Sequence, residues 1–164
     1  MNIAKRLALI LFVLVSCVGC DQTTKSFAQS YLPYGEVWSF LGDTVRLQIA
    51  RNRGAFLGLG ASLPEFWRLA LFGISVSGLL LGLLTYALWA KHIPTSVLFA
   101  FALFFAGGFS NLTDRLLHGG YVVDFINIGV GPLRTGVFNV ADLFISAGVL
   151  VLLWNGLRRT ERDF

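Results

Sequence analysis

Charged residues are scarce in this chain of 164 residues. They make up 13% of the sequence, about half of the roughly 25% that soluble domains carry, while hydrophobic residues reach 55%. This composition argues against a soluble enzyme, a nucleic-acid-binding domain and a disordered chain. Cysteine is scarcer still, and Cys17 and Cys20 alone cannot form the disulfide framework of a secreted protein. The composition therefore predicts a membrane protein with a single domain.

Residues that bind metals are also few. The two histidines, His92 and His118, are distant in sequence, and with the two cysteines they form no ligand cluster. CVGC at 17–20 has the C-x-x-C spacing of redox proteins, but it lies in an apolar run without a thioredoxin-like pattern. We therefore expect no metal site.

Four long apolar segments are present instead. Residues 69–90 and 93–113 are uncharged, and at about 1.5 Å per residue the first can cross a bilayer core of about 30 Å. The segments at 7–20 and 143–157 reach that length only by including polar neighbours, Asp21 to Lys25 and Asn139 with Asp142. Charged residues inside spans are costly and usually functional. We predict four spans, at about 7–28, 67–90, 93–116 and 138–157.

The basic residues predict the orientation of these spans. Six of them lie in the two tails and the short loop between spans two and three, and seven lie on the opposite side, at span ends and in the two longer connecting segments, so the count alone does not decide. Lys and Arg in short segments have the greatest weight. We therefore expect both termini in the cytoplasm and the longer segments, about 30–65 and 117–137, in the periplasm.

The first long segment contains strand patterns. VWSF at 37–40 and TVRLQIA at 44–50 are strand-like, and the second alternates apolar and polar residues as a half-buried strand does. Leu63, Phe66 and Trp67 are typical of a membrane interface. The segment at 117–137 is rich in Gly and contains the strand-like YVVDFI. We predict a mainly α-helical membrane protein with a small periplasmic β-sheet lying on the membrane surface.

Polar side chains gather at the outer ends of spans one, three and four and in the adjoining loop. They are Asp21, Lys25, Asn111, Asp114, Arg115, Asp124, Asn139 and Asp142. Residues at i and i+4 share one face of a helix, and the cations nearest in sequence predict two ion pairs, Asp21 with Lys25 and Asp114 with Arg115. Two carboxylates remain without a cation nearby in sequence.

These two carboxylates, Asp124 and Asp142, form a candidate catalytic pair. Two carboxyl groups in a partly dry site cannot both ionise easily, so they share a proton. One partner then takes a proton from water while the other donates one to the carbonyl under attack, as in aspartic proteases. A structural alternative is that Asp142 caps a helix that begins near Asn139.

Five sequence motifs carry a resemblance to a known family. They are DQTTK at 21–25, NRGAF at 52–56, GGFSNLTDR at 107–115, VVDFI at 122–126 and FNVAD at 138–142. In this order, on a four-span chain, they resemble the lipoprotein signal peptidases, also called signal peptidase II. Two departures are LGLG after NRGAF and Ser110, where the family commonly has glycine.

The resemblance implies an aspartic endopeptidase of the bacterial inner membrane with its active site at the periplasmic face. It implies that the enzyme removes signal peptides from diacylglyceryl-modified prolipoproteins, cleaving before the lipidated Cys. Asp124 and Asp142 are then catalytic, and substrate-binding or supporting roles fall to Asp21, Lys25, Asn52, Gly54, Gly108, Asn111, Asp114, Arg115, Asn139 and Ala141. It also implies contact with membrane lipid, no metal, no organic cofactor and no nucleic-acid partner, and we expect a monomer.

The sequence also allows three other interpretations. LVSC at 14–17, behind Lys5 and Arg6, resembles the end of a lipoprotein signal peptide, which would be cleaved before Cys17. A small transporter or channel subunit would use Asp and Arg as an ion path, but it would need polar residues at several depths of its spans. A non-enzymatic scaffold would explain the spacing of Gly78 and Gly82 but not the two unpaired aspartates.

Overall fold

The computed structural model describes residues 1–54 and 64–160. In this part of the chain the elements are α1 (Ile3–Tyr31), β1 (Trp38–Phe40), β2 (Val45–Asn52), α2 (Glu65–Trp89), α3 (Thr95–Leu117), β3 (Val122–Val130), β4 (Leu133–Arg134) and α4 (Val140–Thr160). Residues 55–63, with the end of NRGAF, LGLG and Leu63, lie outside the described residues, as do residues 161–164.

Three of the described helices are long and apolar enough to cross a membrane. They are α1, α3 and the part of α4 from Val140 to Arg158. In α2 the corresponding apolar segment of the described chain is the shorter Gly73–Trp89. The prediction of a mainly α-helical membrane protein with a small sheet is confirmed.

Helix α3 lies at the centre of the bundle, in contact with the three other helices. The core between α1, α2 and α3 is formed by small and branched side chains, namely Ile10, Val13, Cys17, Ala87, Leu98, Ala102, Leu103 and Ala106. Large apolar side chains on the other faces are exposed, as in Phe12, Ile74 and Leu150. Such a surface suits contact with lipid, because water would disfavour it.

Arg6 joins the first two helices at one end of the bundle. Its side chain is buried, and Nη1 donates hydrogen bonds to the carbonyl oxygens of Ala87 (2.9 Å), Leu88 (3.2 Å) and Ala90 (2.8 Å). The last carbonyls of a helix have no partner within the helix and carry partial negative charge. Arg6 therefore fixes the start of α1 against the end of α2.

The four strands form one antiparallel sheet in the order β1-β2-β3-β4. The sequence predicted strands in both long connecting segments, and the sheet unites them, because β2 pairs with β3 across about 75 residues of chain, with Ala50 opposite Asp124. The register shifts between Leu47 and Ala50. A tight turn joins β3 to β4 and needs Gly131, whose φ of 55° is in the left-handed region.

Candidate active site

The site lies at the end of the bundle where α1 and α3 finish, α4 begins and the sheet crosses. Lys25 is at its base, fully buried between two carboxylates. Its Nζ lies 2.6 Å from Asp21 Oδ2 and 2.8 Å from Asp114 Oδ2, and all three side chains are at most 3% exposed. Two carboxylates around one buried ammonium form a tight charged cluster, which is costly to break by removing one partner.

This geometry confirms one predicted ion pair and corrects the other. Asp21 pairs with Lys25 as expected, but Asp114 also pairs with Lys25 rather than with Arg115. The Arg115 guanidinium instead donates to the carbonyl oxygens of Asn111 (3.1 Å) and Gly54 (2.9 Å). Its buried Nε has no hydrogen-bond partner in the described part of the chain.

Asp142 lies in the first turn of α4, opposite Asn139 at the helix start. The Asn139 side-chain oxygen accepts a hydrogen bond from Asp142 N (3.0 Å), and Asp142 Oδ2 accepts one from Asn139 N (3.2 Å). This reciprocal pair is a capping box, so the structural alternative for Asp142 is part of the arrangement. The other oxygen, Oδ1, accepts from Asn111 Nδ2 (2.9 Å) and is oriented towards α3.

Asp124 is buried in β3, beside the side-chain amide of Asn139. Asn139 Nδ2 donates to Asp124 Oδ1 at 2.6 Å. Burial and, secondly, repulsion from Asp142 raise the pKa of Asp124 to about 7, although hydrogen bonds from the Asn52 and Asn139 side chains act in the opposite direction. A carboxyl group that keeps its proton near neutral pH beside a second carboxylate is suited to general acid–base catalysis.

The remaining predicted residues contribute through contacts of several kinds. The Asn52 oxygen accepts a hydrogen bond from Gly54 N (3.0 Å), which bends the chain after β2 towards Arg115. Ala141 contributes its backbone N–H, which donates to Asp21 Oδ1 (2.8 Å). Gly108 faces away from this cluster, because a Cβ at Gly108 would meet Leu80 of α2 at 2.9 Å.

Two further residues belong to the site that the predicted set did not include. Ser110 is fully buried and donates to Asp21 Oδ2 (2.7 Å). Gln22 donates through Nε2 to Asp114 Oδ1 (2.7 Å) and to Ser110 Oγ (3.1 Å). The sequence did offer signals for both residues: Ser110 departs from the glycine expected in its motif, and Gln22 lies within DQTTK. Within residues 1–54 and 64–160, no group of three or more His, Cys, Asp or Glu is arranged to hold a metal ion.

Comparisons with known proteins agree on one family. The family model of signal peptidase II matches residues 13–158. A lipoprotein signal peptidase of Bifidobacterium adolescentis is 34% identical, over 96% of this chain and 82% of the relative. One from Azoarcus sp. is 35% identical, over 90% of this chain and 82% of the relative.

Solved structures show the same fold. One, described as a bacterial membrane enzyme, matches with a TM-score of 0.79 and 24% identity, covering 98% of this chain and 92% of the solved chain. A second, with the same description, matches with a TM-score of 0.76. The family model and the curated relatives together establish that the chain belongs to the signal peptidase II family, a family of peptidases.

Proposed function

We propose that this protein is an aspartic endopeptidase that removes the signal peptide from diacylglyceryl-modified prolipoproteins, cleaving before the lipidated Cys. Family membership supports the class of reaction. The observation that carries the proposal is the placement of Asp124 and Asp142 around one residue, Asn139, whose side-chain NH₂ donates to Asp124 and whose backbone N–H donates to Asp142, with the pKa of Asp124 raised to about 7. The active site then holds one proton between two carboxyl groups near neutral pH.

Asp124 carries that proton in the resting enzyme, and Asp142 is the base. Asp142 takes a proton from water as the water oxygen attacks the scissile carbonyl carbon, while Asp124 protonates the carbonyl oxygen. A tetrahedral diol results. When its C–N bond breaks, Asp142 returns its proton to the leaving nitrogen and Asp124 recovers one from the diol, so both groups regain their starting states.

Arg115 and Asn111 are suited to hold the substrate beside this pair. Arg115 is fixed by the Gly54 carbonyl, and its buried Nε lacks a partner in the described chain. A buried donor without an acceptor is unfavourable, and a substrate carbonyl would satisfy it. Asn111 contacts Asp142 directly, so it would lie beside the scissile bond. Asn52, at the end of β2, hydrogen-bonds to Asp124 and to the N–H of Gly54, which supports a place for both residues beside the substrate.

The lipid of the substrate stays in the bilayer during cleavage. Moving a diacylglyceryl group into water would cost about 0.8 kcal/mol per CH₂, so the scissile bond reaches the aspartates from the side. The exposed apolar surface around α1, α2 and α4 supports this position within the membrane. We place the protein in the bacterial inner membrane, with the site at the periplasmic face and contacts only to prolipoprotein and lipid.

A cleavage assay in detergent with a fluorogenic diacylglyceryl peptide tests the proposal. The wild type should cleave this peptide much faster than its unlipidated form. Asp124→Asn and Asp142→Asn should each reduce turnover per folded molecule by about 10²–10⁴, the usual contribution of general acid–base catalysis. Asp43→Asn is the matched control, because Asp43 lies in an exposed turn of the sheet. Wild-type turnover by either active-site variant would refute the assignment.

A further inference from the structure

The buried charged cluster contacts the backbone directly before each catalytic aspartate. Asp21 Oδ1 accepts a hydrogen bond from the N–H of Ala141 (2.8 Å), which precedes Asp142. Asp114 Oδ2 accepts one from the N–H of Val123 (3.1 Å), which precedes Asp124. The two carboxylates of the cluster therefore make equivalent contacts to α4 and β3.

Lys25 joins these two contacts. Its Nζ lies within 2.8 Å of an oxygen of both Asp21 and Asp114. We propose that Asp21, Lys25 and Asp114 form a positioning cluster that sets the separation of Asp124 and Asp142 through the backbone N–H before each. The inference rests on the proposed function, since it assigns how the reacting pair is held.

The same ammonium group also orients the amide that contacts Asp142. Lys25 Nζ donates to Asn111 Oδ1 (3.2 Å), and Asn139 Nδ2 donates to the same oxygen (3.1 Å). With two donors on its oxygen, the Asn111 side chain must direct its NH₂ group towards Asp142. Lys25 thus controls one contact of Asp142 through a side chain and another through the backbone.

The ionic hydrogen bonds make the positioning cluster rigid. Hydrogen bonds that involve an ionised partner are shorter and about twice as strong as neutral ones, and the cluster is at most 3% exposed. Ser110 and Gln22 complete it by donating to Asp21 and Asp114. Catalysis by two carboxyl groups depends on geometry within about 0.5 Å, so weakening the cluster should slow the chemical step more than substrate binding.

Ser110→Ala is the mildest test, because it removes one hydroxyl from the Asp21 side of the cluster and leaves both charges paired. The matched control is Ser96→Ala in the same helix, which removes a hydroxyl hydrogen bond between α3 and α4 (Ser96 to Asn155, 2.8 Å) at the other end of the bundle. We expect Ser110→Ala to lower kcat for the lipopeptide about tenfold with KM within about twofold, and Ser96→Ala to leave both unchanged.

Asp114→Asn provides a second, stronger variant, with turnover measured per folded molecule. It keeps an oxygen for the Val123 N–H but removes the charge that pairs with Lys25, so kcat should fall further at unchanged KM. Wild-type kcat in both variants, or losses matched by equal rises in KM, would overturn the positioning role while leaving the peptidase proposal intact. Failure of the wild type to cleave the lipopeptide would instead overturn the proposed function itself.

Discussion

The protonation state of Asp124 affects the free energy of unfolding. In the folded protein, burial and the nearby Asp142 raise its pKa to about 7, against about 3.9 in an unfolded chain. The folded state therefore binds its proton more tightly than the unfolded state. The resulting stabilisation is fully present below about pH 4 and is lost as the pH rises through about 7.

Asp124→Asn should remove this dependence, because the amide does not titrate. Relative to the wild type, the variant should gain stability on going from pH 5 to pH 8, by up to a few kcal/mol. The measurement is thermal unfolding in detergent at both pH values.

Asp43→Asn is the control for this prediction. Hydrogen bonds from Arg46 and then Ser39 hold the pKa of the Asp43 carboxyl well below its usual range, so its contribution to stability is present above pH 4 and is lost only in acid. It should show no gain at pH 8. An identical pH dependence in wild type and Asp124→Asn would mean that Asp124 does not hold its proton near neutral pH.

The residues of the site show which pairings a sequence can reveal. Asp21 and Lys25 lie at i and i+4, where helix geometry brings side chains together, and their pairing was predicted correctly. Asp114 and Arg115 are sequence neighbours, so on a helix they point about 100° apart. Asp114 faces α1 and reaches Lys25, while Arg115 faces the sheet. Which of the two residues reaches Lys25 depends on how α1 and α3 pack against each other, and residue spacing within one helix carries no information about that packing.

Helix α4 approaches α3 closely at two glycines, and the first is at the level of the site. A Cβ added at Gly107 would collide with the Ala141 carbonyl oxygen and would lie 2.8 Å from Ile145 Cγ1. At Gly148 it would lie 2.8 Å from the Ala100 carbonyl oxygen. By contrast, a Cβ added at Gly78 or Gly82 would have nothing within 4 Å among the described residues, so their small-xxx-small spacing makes no helix contact there.

Gly107→Ala should therefore displace the first turn of α4, which carries Asp142. We expect destabilisation of about 1–3 kcal/mol, the usual range for overpacking, and a loss of activity larger than the unfolded fraction explains. Thermal unfolding and lipopeptide turnover measure the two effects. Gly82→Ala makes the same change on an exposed helical face and should be neutral or slightly stabilising. Equal behaviour of the two variants would exclude a close contact at Gly107.

At the level of elements, local sequence patterns predicted the helices and strands but not the pairing between distant strands. Apolar runs located the helices, and alternation over 44–50 predicted β2, which the structure has at Val45–Asn52. The pairing of β2 with β3 joins segments from two different connections. Pairing between distant strands depends on where the intervening helices place them, so the sequence predicted both strands without predicting their register.

Across the whole molecule, charge separates the two ends of the bundle. At the site end, Lys25 is buried in ion pairs with Asp21 and Asp114. At the other end, Arg6 binds the last carbonyls of α2, and Arg158 stacks on Trp154 with 4.6 Å between its guanidinium carbon and the ring centroid. Lys5 and Lys91 lie at the same end, which is therefore enriched in basic residues that have no carboxylate partner in the described part of the chain. Cytoplasmic segments of membrane proteins show this enrichment.

We propose that both termini lie in the cytoplasm and that the sheet with the aspartates lies in the periplasm. A reporter fused after Phe164 should be active only if it is a cytoplasmic one, such as a fluorescent protein that does not mature after export. A small tag inserted in the β3–β4 turn at Gly131, where both flanking residues are exposed, should be labelled from outside by a reagent that does not cross membranes. The two sites test opposite faces of one bundle, so an error in orientation would reverse both results together. If both sites were found on the outside, α4 between them could not be a membrane span.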